Sequence, residues 1–230
     1  MQSDDKFCAT LEKHPDAKAL MAPFVVVREE NGKLVAVPYH VAYKEPMNEI
    51  AGTLREASLV LAPEESALRA YLIATAQSFT DGSWEAADEK WAAMNANNSK
   101  WYLRIAPDET YWEPCKMKAG FHVTFARINP DSLAWQAKLQ PVQQEMEEGL
   151  AALIGPAYKA RKATFKLPDF IDIVWNAGDD RPPFGATIGQ SLPNWGKVAN
   201  ESRGRTVAMS NLYQDPGSLQ IRRQGAEVME

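Results

Sequence analysis

The sequence predicts an α+β protein, a helical segment followed by a mixed β-core with flanking helices, and three observations carry that prediction. An Asn-Gly turn near the start joins two β-rich runs, apolar residues then recur at helical spacing as far as Met94, and beyond Asn95 the texture changes to strand-like runs broken by Pro and Gly. The division is placed after residue 98, with a β-hairpin and helical part over 1–98 and a β-core with inserted helices over 99–230.

The elements follow in chain order. Phe24 to Arg28 and Leu34 to Pro38 flank Asn31-Gly32, a dipeptide that tolerates positive φ in a tight turn, so a hairpin is expected. After Pro46, Ile50, Leu54, Ala57 and Leu61 share one helical face. Pro63 suits the first turn of a second helix, with Glu64 and Glu65 at its positive end and Leu68, Tyr71, Leu72, Thr75, Ala76 and Phe79 as its stripe. Asp81-Gly82 breaks that helix, and Ser83 is expected to cap a third carrying Trp84, Ala87, Trp91 and Met94. Asn95 to Ser99 is a turn-rich break before two strands, Trp101 to Ile105 and Phe121 to Ile128. Asn129-Pro-Asp opens a helical stretch through about Ala160, divided at Pro141. The last seventy residues return to strands at Ile171 to Trp175, Ala186 to Gly189 and Arg205 to Met209. The chain shows no repeat, and its C-terminus reads as cut rather than finished.

Composition excludes several function classes. The 230 residues are 45% hydrophobic and 24% charged, which suits a globular core rather than disorder. Lys and Arg number 25 against 30 Asp and Glu, a net charge of −5, so no basic field gathers nucleic acid or an anionic membrane. Apolar runs such as Phe24 to Val27 and Leu59 to Ala62 are far too short to span a bilayer, and no targeting peptide is visible. A soluble protein is expected, compatible with the cytoplasm, its compartment left open. Cys8 and Cys115 lie 107 positions apart with no neighbouring Cys or His, so neither a zinc or CxxC site nor a disulfide framework is expected.

Chemistry-bearing motifs are sparse. His14, His40 and His122 belong to no HExxH pair and are read as structural. No GxSxG elbow, phosphate loop or GxGxxG occurs. Glu85 to Glu89 and Glu145 to Glu148 read as solvated helix faces, while Lys159 to Lys166, Arg203 to Arg205 and Arg222-Arg223 read as surface or as anchors for carboxylates. The most informative stretch runs from Phe170 to Tyr213. Glycines at 185 and 189 would let another backbone approach a strand that ends in Leu192-Pro-Asn-Trp, which suits an extended peptide received by strand addition. A bulge at the glycines and a turn at Asn194 explain the same residues, and on chemistry alone that plainer reading is preferred.

Three ordered segments change the balance. Gln77-Ser-Phe-Thr-Asp-Gly-Ser-Trp-Glu-Ala-Ala, Glu109-Thr-Tyr111, and the set Ala177-Gly178, Gly189-Gln-Ser-Leu-Pro-Asn194-Trp195 and Val207 to Asn211 together resemble the dipeptidyl peptidase III family of zinc metallopeptidases over roughly residues 70 to 213. The resemblance implies part of a two-lobed metallopeptidase fold whose full-length members remove dipeptides from the N-terminus of short peptides. It implies that Glu109 and Tyr111, two apart on an extended segment, hold the substrate's free ammonium. It further implicates Gly185, Ala186, Gly189, Ser191 and Asn194 in receiving the peptide, with Ser191 standing where relatives often have Asn. Full-length relatives carry zinc on an HExxxH-like helix downstream, a motif missing from this chain. The expectation is therefore a peptide-binding portion that holds no cofactor and no catalytic or metal residue of its own and is inactive alone, its partners being short peptides with a free N-terminus and the missing C-terminal zinc-binding part. A stand-alone, non-catalytic peptide-binding module is the alternative, and an unrelated α+β domain the third reading.

Overall fold

The computed structural model describes residues 6–164, 166–179, 188–210 and 215–229. Two short helices, α1 (Phe7–Glu12) and α2 (Ala17–Leu20), precede the hairpin and were not foreseen. Strands β1 (Val25–Glu30) and β2 (Lys33–Pro38) pair antiparallel out to Glu30 and Lys33, and Asn31 and Gly32 both take positive φ, 52° and 76°, as the turn requires. A one-turn helix α3 (Tyr39–Ala42) leads into α4 (Lys44–Val60). The latter begins before Pro46 rather than after it, because a proline in the first turn removes an N–H that has no helical partner. Its buried stripe is Met47, Ala51, Leu54 and Ser58, whereas Ile50 faces out.

Helix α5 (Ser66–Asp81) buries all six residues of its expected stripe. It ends at Gly82, whose φ of 76° and N–H bond to the Ser78 carbonyl close the last turn. Helix α6 (Glu85–Ala92) buries Ala87 and Trp91 as expected, with Trp84 and Met94 buried just outside its ends. Ser83 does not cap it: Trp84 is the residue before its first turn, with no side-chain capping bond, and the Ser83 N–H donates to Asp81 Oδ1 at 2.8 Å at the end of α5. Pro141 divides the next helical stretch into α7 (Asp131–Leu139) and α8 (Gln143–Ile154) through a single 3₁₀ turn. That stretch stops short of Ala160 because Gly155 turns the chain with a φ of 85°.

The β-core is a five-stranded sheet of β3 (Trp101–Glu109), β4 (Gly120–Ile128), β5 (Asp169–Gly178), β6 (Gly189–Leu192) and β7 (Arg205–Met209), in the order β3-β4-β5-β7-β6. All neighbours are antiparallel except the short parallel pairing of β5 with β7. The expected strand over Ala186 to Gly189 is seen from Gly189 onward, its earlier residues lying outside the described ones. Helix α9 (Gly196–Asn200) joins β6 to β7, and α10 (Pro216–Met229) follows where no helix was expected. One core cluster joins α4, α5 and α6 to the sheet through Leu54, Tyr71, Trp91, Tyr102, Ile171 and Met209. Among the described residues no helix is long and apolar enough to cross a membrane.

The sheet is curled. Four strand spacings of about 4.8 Å would separate the edge strands of a flat sheet by roughly 19 Å, more than a tyrosine and a glutamine can bridge. Yet Tyr102 of β3 donates to Gln190 Oε1 of β6 at 3.1 Å, and Gln190 Nε2 donates to Thr124 of β4 at 3.3 Å. The two edges are thus brought towards each other.

A disulfide joins Cys8 to Cys115, contrary to the expectation from their spacing. The β3–β4 connection lies across the N-terminal helices, where the Lys118 ammonium donates to the carbonyls of Leu20 and Ala22 and the Ala119 N–H to that of Pro23. Closing a loop of 107 residues removes considerable unfolded-state entropy, so reduction is expected to lower stability by about 2–4 kcal/mol. Thermal melts with and without a dithiol reductant check this, and a Cys8→Ser/Cys115→Ser variant should melt with the reduced protein.

Candidate functional site

The curl brings together two residues that lie 85 positions apart. Glu109 is the last residue of β3, and Asn194 follows β6 after the cis Leu192-Pro193 bond. Asn194 Nδ2 donates to the Asp108 carbonyl at 2.7 Å and lies 3.5 Å from Glu109 Oε2. The ends of the two edge strands therefore meet at one carboxamide. Beyond Glu109 the chain leaves the sheet, and Tyr111 sits in a bend, 46% exposed. The extended segment expected to carry both Glu109 and Tyr111 thus ends at Glu109.

The other expected residues divide. Ser191 is exposed on β6, with its hydroxyl against Thr206 Oγ1 at 2.9 Å. Gly189 pairs with Ala208, and a Cβ there would lie 2.2 Å from the Val207 carbonyl oxygen. The backbone that approaches this glycine is its neighbouring strand, which explains the residue within the fold itself. Gly185 and Ala186 lie outside the described residues. A cavity of about 660 Å³ between the N-terminal helices, β1 and the β3–β4 connection, lined by Leu11, Met21, Tyr43 and Met117, contains none of the expected site residues.

Under the junction lies a buried charge network that the sequence reading missed. Arg104, 1% exposed, gives Asp108 two aligned bonds, Nε at 2.7 Å and Nη2 at 2.6 Å. Its Nη1 stands 2.8 Å from Asp88 Oδ1 without hydrogen-bond alignment. His122 Nε2 lies 2.8 Å from Asp108 Oδ2. Trp91 is flanked by two guanidinium groups, Arg104 at 4.7 Å and Arg205 at 5.3 Å from its ring centroid, and Arg205 pairs with Asp169 at 3.1 Å. The signal was present, because residues 102, 104, 106 and 108 share the inward face of a strand and place a cation and an anion on it. The acidic run Glu85 to Glu89 is likewise only partly a solvated face: Glu89 pairs with Arg203 on the surface, whereas Asp88 is buried on Arg104.

The two buried carboxylates respond to this network in opposite directions. Burial opposes ionisation of Asp108, but the Arg104 charge, its paired bonds and His122 outweigh it and hold the carboxyl down at about 2. Burial dominates at Asp88 and pushes it up to about 6, since Arg104 spends its aligned donors on Asp108. The folded state therefore binds a proton at Asp88 more tightly than the unfolded chain does. Stability from this group is present below the ordinary carboxylate value and is lost as pH rises towards 6. Unfolding in urea between pH 4 and 7 is expected to show Asp88→Asn gaining on the wild type as pH rises, whereas a difference independent of pH would contradict the assignment.

Among the described residues no group of three or more His, Cys, Asp and Glu is placed to hold a metal ion. The junction sets one carboxylate, Glu109, whose chemistry suits a cation, beside the Asn194 amide and the end of β6.

No protein-family model matches the chain, and no curated protein does. Solved structures do. Dipeptidyl peptidase III from Caldithrix abyssi superposes with a TM-score of 0.74 at 26% identity, over 91% of this chain and 39% of that one. Dipeptidyl-peptidase III from Corallococcus sp. strain EGB superposes with a TM-score of 0.68 at 26% identity, over 90% of this chain and 38% of that one. The chain spans about two fifths of the length of these structures.

Proposed function

We propose, from the premise that this chain is dipeptidyl peptidase III-like in fold and sequence over most of its length, that it is the portion of such a peptidase that binds a short peptide by its free N-terminus. The observation that carries the reading is the meeting of Glu109 and Asn194 at 3.5 Å, where two edge strands converge. An ammonium entering there finds a carboxylate as counter-charge. Beside it lies β6, the last strand in the order of the described sheet, and strand addition there is how an extended peptide would be received through its main chain. Main-chain pairing tolerates many side chains, so the selectivity of this portion lies in the amine. Peptide-bond cleavage is assigned to the zinc-binding part that the family resemblance implies, and the chain alone binds without cutting.

The reading is tested by calorimetric titration with an alanine tetrapeptide and its N-acetylated form. Saturable binding of the free-amine peptide, weakened at least tenfold by acetylation, is expected from loss of one charge-assisted contact of about 1.5–3 kcal/mol. Equal affinity for the two peptides, or dipeptide release by the chain alone, would sink it.

A further inference from the structure

The buried network reaches the junction through Asp108. Register between β3 and β4 shifts between Pro107, which pairs with Phe121, and Glu109, which pairs with Gly120, so Asp108 is the extra residue of a β-bulge. A bulge gives up regular pairing and persists only where something holds it. Here the Asp108 carboxylate is held from one side by Arg104 Nε and Nη2 and by His122 Nε2. On the other side the Asp108 carbonyl accepts the Asn194 amide. An ionised carboxylate only accepts, so His122 carries its proton on Nε2 and donates it. Without these anchors the strand can return to regular pairing, which moves each following residue by one position, about 3.4 Å, and turns it to the opposite face. Glu109 is the first residue so displaced.

We propose that Asp108 is the positioning residue of the amine site: its carboxylate, fixed by Arg104 and His122, holds the bulge that presents Glu109 and the carbonyl that orients Asn194. Asp108 acts through its neighbours and does not itself meet the peptide. The proposal rests on the reading of Glu109 as the ammonium's counter-charge, but its geometry is measurable without a peptide.

The experiment compares Asp108→Asn, His122→Phe and His122→Gln with the wild type by two readouts. The first is the side-chain resonances of Asn194 Nδ2 and the Glu109 carboxyl carbon in the peptide-free protein. The second is the ratio of affinities for the free-amine and acetylated tetrapeptides. Asp108→Asn and His122→Phe are expected to move both resonances and to shrink the ratio about tenfold while a cooperative melt is kept. Glutamine at 122 can still donate to Asp108, so His122→Gln is expected to restore both readouts. Should Asp108→Asn fail to fold, the two His122 variants carry the test. Unmoved resonances in a folded Asp108→Asn or His122→Phe protein would overturn the proposal, as would equal shifts in His122→Phe and His122→Gln. A wild type that binds the two peptides equally would sink the amine-site reading, and the peptide-free resonances would still decide the positioning claim.

Discussion

Replacing Arg104 by methionine is expected to destabilise the fold by about 3–5 kcal/mol, the cost of leaving buried charge without a partner. The guanidinium is the counter-charge of two carboxylates, Asp88 and Asp108, both almost wholly removed from solvent. Methionine follows much of the arginine's path, so the cavity is small and the loss is mainly electrostatic. Trp91 loses one of its two flanking cations as well, a smaller effect. Removing the charges together reverses the sign of the argument. An Arg104→Met/Asp88→Leu/Asp108→Asn triple variant leaves no buried carboxylate without a cation, keeps an acceptor for His122, and should recover part of the lost stability, because uncharged packing of similar volume often replaces a buried ion pair with little penalty. Urea unfolding of the single and triple variants checks this, and a loss below about 1 kcal/mol for Arg104→Met would show that the interior is far wetter than its burial implies.

Glu109→Gln is expected to have the largest effect on binding. The substitution keeps the shape and the acceptor oxygen but removes the charge that meets an ammonium. With Glu109 half-buried at the end of β3, the lost interaction is about 2–3 kcal/mol, or roughly 30- to 160-fold in affinity for a free-amine peptide. Affinity for the acetylated peptide is expected to be unchanged, because that ligand brings no cation. Titration of both peptides into the variant separates the two cases, and an equal loss for each would mean that Glu109 shapes the groove rather than holding the amine.

Local signals in the sequence foretold local structure well. Asn31-Gly32 announced its hairpin because positive φ at both positions is a property of those residues, and the α5 stripe announced its buried face because a helix writes its period into the sequence. Pro46 misled because a proline reads as a boundary whether it precedes the first turn or sits inside it. Ser83 was the right residue type for a cap, yet the helix begins one residue later, with Trp84 at the capping position. The Cys8–Cys115 bond, the Tyr102–Gln190 bridge and the Glu109–Asn194 junction share one property: each joins residues more than 80 positions apart, and only the path of the chain through the core brings them together. Glu109 was named from a family resemblance alone, whereas Asn194 was named first from the strand end Leu192-Pro-Asn-Trp and then from that resemblance. Arg104 and Asp108 could have been read from strand alternation, but isolated charges in an apolar strand look like solvent-facing residues until the face is known.

Where a peptide sits is tested most directly by amide chemical-shift mapping of the isotope-labelled chain with an unlabelled alanine tetrapeptide. Binding is predicted to shift the backbone amides of Gly189 to Leu192, the Asn194 side-chain amide and the amide of Glu109, with acetylation of the peptide abolishing the last two. Shifts confined to the cavity around Leu11, Met21 and Met117, with the β6 edge and Asn194 unmoved, would contradict it.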